Sequence, residues 1–434
     1  MKYYLAVDIG ASSGRHIIGY LKDGKIITEE VYRFKNGFIN KEDHLIWDME
    51  HILHEVIEGI KEAFKRYPVI ESMSIDTWGV DYVLMHDNEE IWPCFGYRDY
   101  RMDDDIDEVH KIIPFEELYA RTGCQFQKFN TIYQLYDDKV HGRLEKANDF
   151  LMIPEYLIYK LTGVKTREYT NASTSGLISL DTGEYDLEII ERLNLPKGLF
   201  PKLNQPKMSV GCLVDEIAKE VNGNLNVVLC ATHDTGSAVE GIEMENDELY
   251  LSSGTWSLLG VKLKEGIADH NSMLNNYTNE GGIGYIRYQK NIMGMWIINE
   301  LKKELCPDVS FEKIVKMAEM SQYDDIIDVN LPVFLSPLSM KKAFDDVLED
   351  HLEVGDYFRC AYRSLGRCYA KAIEEIEHNT KHKYHKLYIV GGGAKNQYLN
   401  MLTEEMSGKK VIALPIEASA IGNIKVQMEV NHEL

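Results

Sequence analysis

The sequence predicts an α/β protein of two similar domains, and three observations carry that expectation. An apolar strand, a small-residue turn and a second apolar strand at residues 5–21 recur at residues 249–261. A compact apolar strand, Val227-Val228-Leu229-Cys230-Ala231, delivers Thr232-His233-Asp234-Thr235 into a helix of small residues. A third, Lys386-Leu387-Tyr388-Ile389-Val390, runs into Gly391-Gly392-Gly393-Ala394. At 434 residues the chain exceeds one typical core, and the polar interval 243–248 reads as a boundary, so domains are expected at 1–243 and 244–434.

The first hairpin turns through Gly10-Ala11-Ser12-Ser13-Gly14-Arg15. Small residues leave backbone N–H groups, two hydroxyls and one guanidinium open to a ligand, which is the outline of a phosphate cradle. No P-loop string occurs anywhere in the chain, and a plain hairpin reading stands beside the cradle. Gly24 and the alternation through Ile26, Ile27, Val31 and Phe34 predict further strands. From Asp48 the period changes: Ile52, Val56, Ile57, Ile60, Ala63 and Phe64 predict a helix ending near Tyr67-Pro68.

Ser72-Met73-Ser74-Ile75 reads as a buried strand opening into Asp76-Thr77-Trp78-Gly79-Val80-Asp81-Tyr82. Strand ends are where open α/β sheets place ligand groups, and an indole face with carboxylates suits a sugar. The competing reading makes Asp76 or Thr77 a turn cap. Tyr97-Arg98-Asp99-Tyr100-Arg101 reads either as a second sugar-facing element or as a surface ion-pair cluster. Residues 108–200 are mainly helical by pattern, firmest at Ile153-Pro154-Glu155-Tyr156-Leu157-Ile158-Tyr159, and carry no recognisable chemistry. Asp234, at a strand-to-helix junction, suits a general base or an N-cap; a lone His233 beside a strand end is more often a structural hydrogen-bonder.

Bulk properties narrow the partners. A formal net charge of −23 argues against nucleic acid or an anionic membrane, while a small anionic ligand needs only a few local donors. No apolar run approaches the ~18 residues of a membrane span, and Asp8 interrupts the only candidate leader, so a cytoplasmic setting is expected. Seven scattered cysteines without C-x-x-C spacing fit reduced thiols, with Cys360 and Cys368 lining a helix core rather than a metal.

In this order the motifs resemble the actin, hexokinase and heat-shock ATPase superfamily, matching at residues 8–15, 252–257, 391–394 and 418–423. That resemblance implies two ribonuclease H-like domains facing each other across an interdomain cleft that closes on substrate. Setting Leu249 on Leu5 places Gly254 on Gly10 and Ser257 on Ser13. Within the superfamily the chain is similar to the FGGY carbohydrate kinases. The carriers are residues 8–15, Asp76-Thr77-Trp78-Gly79-Val80-Asp81, Thr232-His233-Asp234-Thr235, Lys290-Asn291-Ile292-Met293-Gly294 and Glu417-Ala418-Ser419-Ala420-Ile421-Gly422-Asn423-Ile424.

The likeness is strongest to the branch acting on L-rhamnulose, and implies MgATP-dependent phosphorylation of its 1-hydroxyl in L-rhamnose breakdown. It implies Asp234 as general base, with Gly79, His233, Asp234, Thr235 and Asn291 contacting the ketose. Ala11, Ser12, Ser13, Gly14, Arg15, Thr255, Asn299 and Gly393 are expected at the nucleotide, and Asp8 at magnesium through water. Asn299 departs from the glutamine expected there, keeping the amide with a shorter reach. The chain ends soon after Val426-Gln427-Met428, which puts the last helical layer of the second domain in question. Alternatives are another sugar or polyol kinase, for xylulose, fuculose or glycerol, or a nucleotide switch of the actin or chaperone kind; monomer and homodimer are both open. A dinucleotide oxidoreductase lacks its G-x-G-x-x-G after the first strand.

Overall fold

In the computed structural model, which describes every residue except 245–247, 336, 349–351 and 415–416, the opening strand Tyr4–Ile9 is buried at all six positions. It pairs antiparallel with Ser13–Lys22 and parallel with Ser72–Thr77, so Asp8 lies in register with Arg15 on one side and Asp76 on the other. From edge to edge the sheet runs Met208–Cys212, Asn226–Leu229, Ser72–Thr77, Tyr4–Ile9, Ser13–Lys22 and Lys25–Lys35. A central strand covered on both faces needs a continuous apolar run, which Leu5, Ala6 and Val7 supply.

The helix Met49–Arg66 forms where the 3.6-residue period predicts it. Asp48 caps it by accepting from the amide of His51, and Ile52, Val56, Ile60 and Ala63 are buried in the first unit's core. Gly59 is required there: a Cβ would stand 2.2 Å from the His16 ring. Residues 108–200 are less helical than their pattern suggests. Helices Phe115–Thr122 and Thr131–Val140 and the strand Asp149–Met152 contribute to a separate apolar cluster, whereas Ile153, Leu157 and Leu161 of the helix Ile153–Thr162 join the core beneath the first sheet.

The chain divides into two compact units, Met1–Gly241 with Leu263–Arg287 and Ala418–Leu434, and Ile242–Lys262 with Tyr288–Glu417. A single cut between 243 and 244 therefore does not describe them, and residues 245–247 of the polar interval lie outside the described residues. The final helix, Ala418–Val430, is the reason. Ala420, Ile424 and Met428 pack on Tyr4, Ala6 and Ile17, and Gln427 donates to the carbonyl of Leu5 at 3.0 Å. The last helical layer belongs to the first unit, not the second.

The second unit repeats the strand scheme. Leu249–Ser253 pairs antiparallel with Trp256–Leu263 and parallel with Lys386–Val390, which pairs with Lys410–Ala413. Its turn is one residue tighter than the first. Ile9 faces Gly14, whereas Ser253 faces Ser257, so Ser257 takes the place of Gly14 rather than that of Ser13. Among the described residues no helix is long and apolar enough to cross a membrane, and all seven cysteines are unpaired.

Candidate functional site

The first unit gathers its charged candidates at the ends of three strands. Asp8 closes the opening strand and pairs with Arg15 across the hairpin at 2.6 Å (Nη2 to Oδ2). Beside it, Asp76 is fully buried; its Oδ2 accepts from Asn423 Nδ2 at 2.7 Å, and its Oδ1 has no hydrogen-bond partner among the described residues. Burial pushes the Asp76 carboxyl well above the usual range, and the charges of Asp8 and Asp234 push the same way against the Asn423 hydrogen bond. Those interactions bring the three carboxylates into one field.

The hairpin turn is braced from outside. The carbonyl of Gly10 accepts from Asn36 Nδ2 at 2.8 Å, that of Ser12 from the Asn36 amide at 3.1 Å, and the Gly10 amide donates to the Ser13 carbonyl at 2.9 Å. Ser12 is exposed, while Ala11, Ser13 and Arg15 are half-buried. Gly14 is needed for packing, since a Cβ would fall 2.1 Å from the Phe34 ring.

The strand Asn226–Leu229 leads to the junction at residues 232–235, where Thr77 and His233 form a parallel bridge. His233 takes the N-cap place and Asp234 is the first residue of the helix Asp234–Glu240, so Asp234 is not its cap. Asp234 Oδ1 accepts from the amide of Thr235 at 2.5 Å and from its hydroxyl at 3.1 Å; Oδ2 is left without a hydrogen bond among the described residues. Burial raises the Asp234 carboxyl, with the Asp8 charge adding and the His233 ring opposing. His233 Nε2 lies 3.5 Å from Asp234 Oδ1, and His233 Nδ1 lies 3.1 Å from Arg287 Nη2 and 3.3 Å from Glu280 Oε2.

Gly79 stands at a tight γ-turn. The amide of Asp81 donates to the carbonyl of Gly79 at 2.9 Å, and Val80 between them has φ +69°, a conformation β-branched residues rarely adopt. Side chains pin it: the Val80 amide donates to Thr174 Oγ1 at 3.1 Å, and its carbonyl accepts from Thr131 Oγ1 at 2.7 Å. A Cβ on Gly79 would come 2.8 Å from Thr174 Oγ1. Trp78, read from sequence as a sugar platform, is core: it packs on Trp47 with centroids 4.1 Å apart and donates to Asp81 at 3.0 Å. Asp81 is a structural acceptor, taking Trp47 Nε1 at 2.6 Å and Gln134 Nε2 at 3.1 Å as well. Arg101 is neither sugar-facing nor on the surface. Its side chain is 5% exposed and pairs with Asp137 and Asp138, which makes it part of a buried ionic network.

Thr255, Asn291, Asn299 and Gly393 belong to the second unit. Thr255 is exposed at the tip of the second hairpin, and its carbonyl accepts from the amide of Trp296 at 3.3 Å. Gly294 permits that approach, because a Cβ would sit 2.8 Å from the Gly254 carbonyl. Asn291 keeps a buried Oδ1 without a partner among the described residues. Asn299 is half-buried in the helix Trp296–Leu305. The three glycines differ. Gly391 has φ +85° and would clash with the Ser253 carbonyl, Gly393 would meet Ser253 Oγ at 1.9 Å, and Gly392 has open space.

Four supporting residues carried no local signal. Glu168 Oε2 accepts from the amide of Thr232 at 3.0 Å and its hydroxyl at 2.6 Å, and Oε1 from the amide of Thr170 at 2.7 Å. Thr170 Oγ1 in turn accepts from the amide of His233 at 3.3 Å. Glu280 and Arg287 complete the setting of His233. All four sit far along the chain from residue 233 in ordinary-looking stretches.

Comparison with known proteins gives the family. Residues 3–241 match the N-terminal domain model of the FGGY family of carbohydrate kinases, and residues 249–429 match its C-terminal domain model. A rhamnulokinase of Oceanobacillus iheyensis is 42% identical, covering 98% of this chain and 92% of that one. One from Halalkalibacterium halodurans is 41% identical, covering 98% and 93%. Among solved structures, gluconate kinase from Lactobacillus acidophilus superposes with a TM-score of 0.82 at 16% identity, covering 99% of this chain and 89% of that one.

Proposed function

The chain belongs to the FGGY family of carbohydrate kinases, and from that membership we propose that it transfers the γ-phosphoryl group of ATP to the 1-hydroxyl of L-rhamnulose, giving L-rhamnulose 1-phosphate and ADP. The ketose is drawn from relatives about 40% identical that are named rhamnulokinases. The observation that carries the mechanism is the state of Asp234, with one carboxylate oxygen fixed by Thr235 and the other uncommitted.

Phosphoryl transfer needs in-line positioning, charge neutralisation and an acceptor for one proton. Asp234 Oδ2 takes the proton of the 1-hydroxyl as that oxygen bonds to the γ-phosphorus and ADP leaves. Gly79, His233, Thr235 and Asn291 orient the ketose. Ala11, Ser12, Ser13, Gly14 and Arg15 hold phosphates, and Thr255, Asn299 and Gly393 hold the nucleotide. These roles follow the family pattern.

Magnesium fits the donor set: Asp8 and Asp76 are in-register carboxylates at adjacent strand ends, and Asp76 Oδ1 is buried with no partner among the described residues. Asp8 would hold the ion through water, and a bound ion would supply neutralisation of phosphate charge. The seven unpaired thiols favour the reducing cytoplasm.

The test is ADP release with L-rhamnulose, D-xylulose, L-fuculose and glycerol, in wild type and Asp234→Asn. Release with L-rhamnulose above the others, lost in Asp234→Asn while ATP binding persists, is the expected result. Near-normal turnover in the variant removes Asp234 from the base role, and preference for another acceptor replaces the ketose assignment.

A further inference from the structure

We propose that Arg287, with Glu280 as its counter-ion, is a positioning residue that holds His233 as the neutral imidazole protonated on Nε2. This inference rests on the reading of His233 and Asp234 as the acceptor-binding pair. Arg287 is fully buried. Its Nε donates to the Gly281 carbonyl at 2.9 Å, and its Nη2 lies 3.1 Å from Glu280 Oε2 and 3.1 Å from His233 Nδ1. A guanidinium has donors and no acceptor, so the Arg287 contact requires a lone pair on Nδ1 and leaves the ring proton on Nε2. A ring carrying hydrogen on Nδ1 would set N–H against N–H.

The groups facing this imidazole come from three elements. Asp234 lies on the following helix, Glu280 on the strand Tyr277–Gly281 and Arg287 on the strand Ile286–Met293. Glu280 Oε2 is the competitor, 3.3 Å from the same Nδ1, and would take a proton from it in the opposite tautomer. The guanidinium occupies that oxygen and offers Nδ1 a donor instead.

The consequence is a division of roles. His233 Nε2–H is 3.5 Å from Asp234 Oδ1, too long for a good hydrogen bond, and Thr235 already saturates that oxygen. The N–H is therefore available to a ketose hydroxyl oxygen. The other tautomer would present a lone pair there and compete with Asp234 for the hydroxyl proton. By fixing the ring, Arg287 leaves Asp234 as the one base facing the acceptor.

The test is a two-bond proton–nitrogen correlation spectrum of the full-length protein with labelled histidine, His233 being assigned by its loss in His233→Asn. The expected result is an unprotonated Nδ1 and a protonated Nε2 in wild type. Arg287→Met is expected to lose that pattern and raise KM for the ketose about tenfold with KM for ATP unchanged. Arg287→Lys, which keeps a donor, restores both in large part. A protonated Nδ1 in active wild type overturns this inference alone. So does an Arg287→Met variant with tautomer and KM unmoved. Should Arg287→Met fail to fold, the wild-type spectrum and Glu280→Gln, expected to keep the Nε2–H form, decide the question. A wild type that phosphorylates no ketose overturns the functional reading instead, with the spectrum still interpretable.

Discussion

Substituting Gly422 with alanine places a methyl group where two helices of the first unit meet. A Cβ at 422 would lie 1.9 Å from the Ser237 carbonyl oxygen and 2.6 Å from the Gly241 amide nitrogen, both backbone atoms that cannot rotate away. Ordinary contact begins near 3.4 Å, so the helices Asp234–Glu240 and Ala418–Val430 must part by about 1.5 Å. Asn423, the next residue, donates at 2.7 Å to the buried Asp76 carboxylate, and that hydrogen bond does not survive such a shift. Overpacking costs about 1–3 kcal/mol and a lost hydrogen bond to a buried charge about 1.5–3 kcal/mol, so Gly422→Ala is expected to destabilise by ~4 kcal/mol. Because Asp234 opens one of the two helices, kcat should fall alongside. Urea denaturation with ketose-dependent ADP release measures both, with Gly392→Ala as the matched control because nothing lies within 4 Å of that site. Stability within about 0.5 kcal/mol of wild type, or full kcat at lowered stability, would refute the reasoning.

Asp81→Asn tests a buried carboxyl whose burial pushes it up to about 6 against its hydrogen bonds from Trp47, Gln134, Trp78 and Tyr97. A raised folded value means that Asp81 favours folding below its unfolded value near 3.8, a contribution lost as pH rises through 6 and worth ~3 kcal/mol. His16 has the opposite sign, since burial lowers it to about 4 and its contribution is lost as pH falls from 6.5 through 4. The difference between wild-type and Asp81→Asn denaturation curves from pH 4 to 7 isolates the Asp81 slope, and a flat difference would count against it. Gly393→Ala should raise KM for ATP several-fold and leave KM for ketose unchanged, because its Cβ would displace Ser253 at the end of the second unit's central strand. An unchanged KM for ATP in steady-state assays would remove Gly393 from the nucleotide site.

The duplicated hairpins, the helix opened by Asp48 and the junction at 232–235 were legible because each rests on local period and turn chemistry. The tertiary partners of those segments were not. Trp78 looks the same in sequence whether its face meets a sugar or Trp47, and only the fold brings residue 47 across. Glu168 and Arg287 are a glutamate and an arginine among many until the chain sets them behind Thr232 and His233. The assignment of the last helix to the first unit is equally non-local, since its apolar face meets Tyr4 and Ile17 some four hundred residues earlier. The one-residue difference between hairpin turns escaped because a linear alignment of two short motifs cannot see which residues pair across them.

That difference bears on how the two units divide their work. The first hairpin sets an acid and a base in register, Asp8 with Arg15, and the parallel strand beside them adds Asp76. In the second, the corresponding strand end carries Ser252 and Ser253, and the parallel neighbour ends in glycines that close on Ser253. One topology thus serves side-chain charge in one unit and close backbone approach in the other. Charge-bearing positions tolerate conservative exchange only where geometry and pairing survive, whereas backbone-approach positions are closed to any Cβ at all. It follows that at these paired strand ends lost function should arise in the first unit from substitutions that keep size and change charge, as in Asp8→Asn. In the second it should arise from substitutions that keep charge and add size, as in Gly393→Ala.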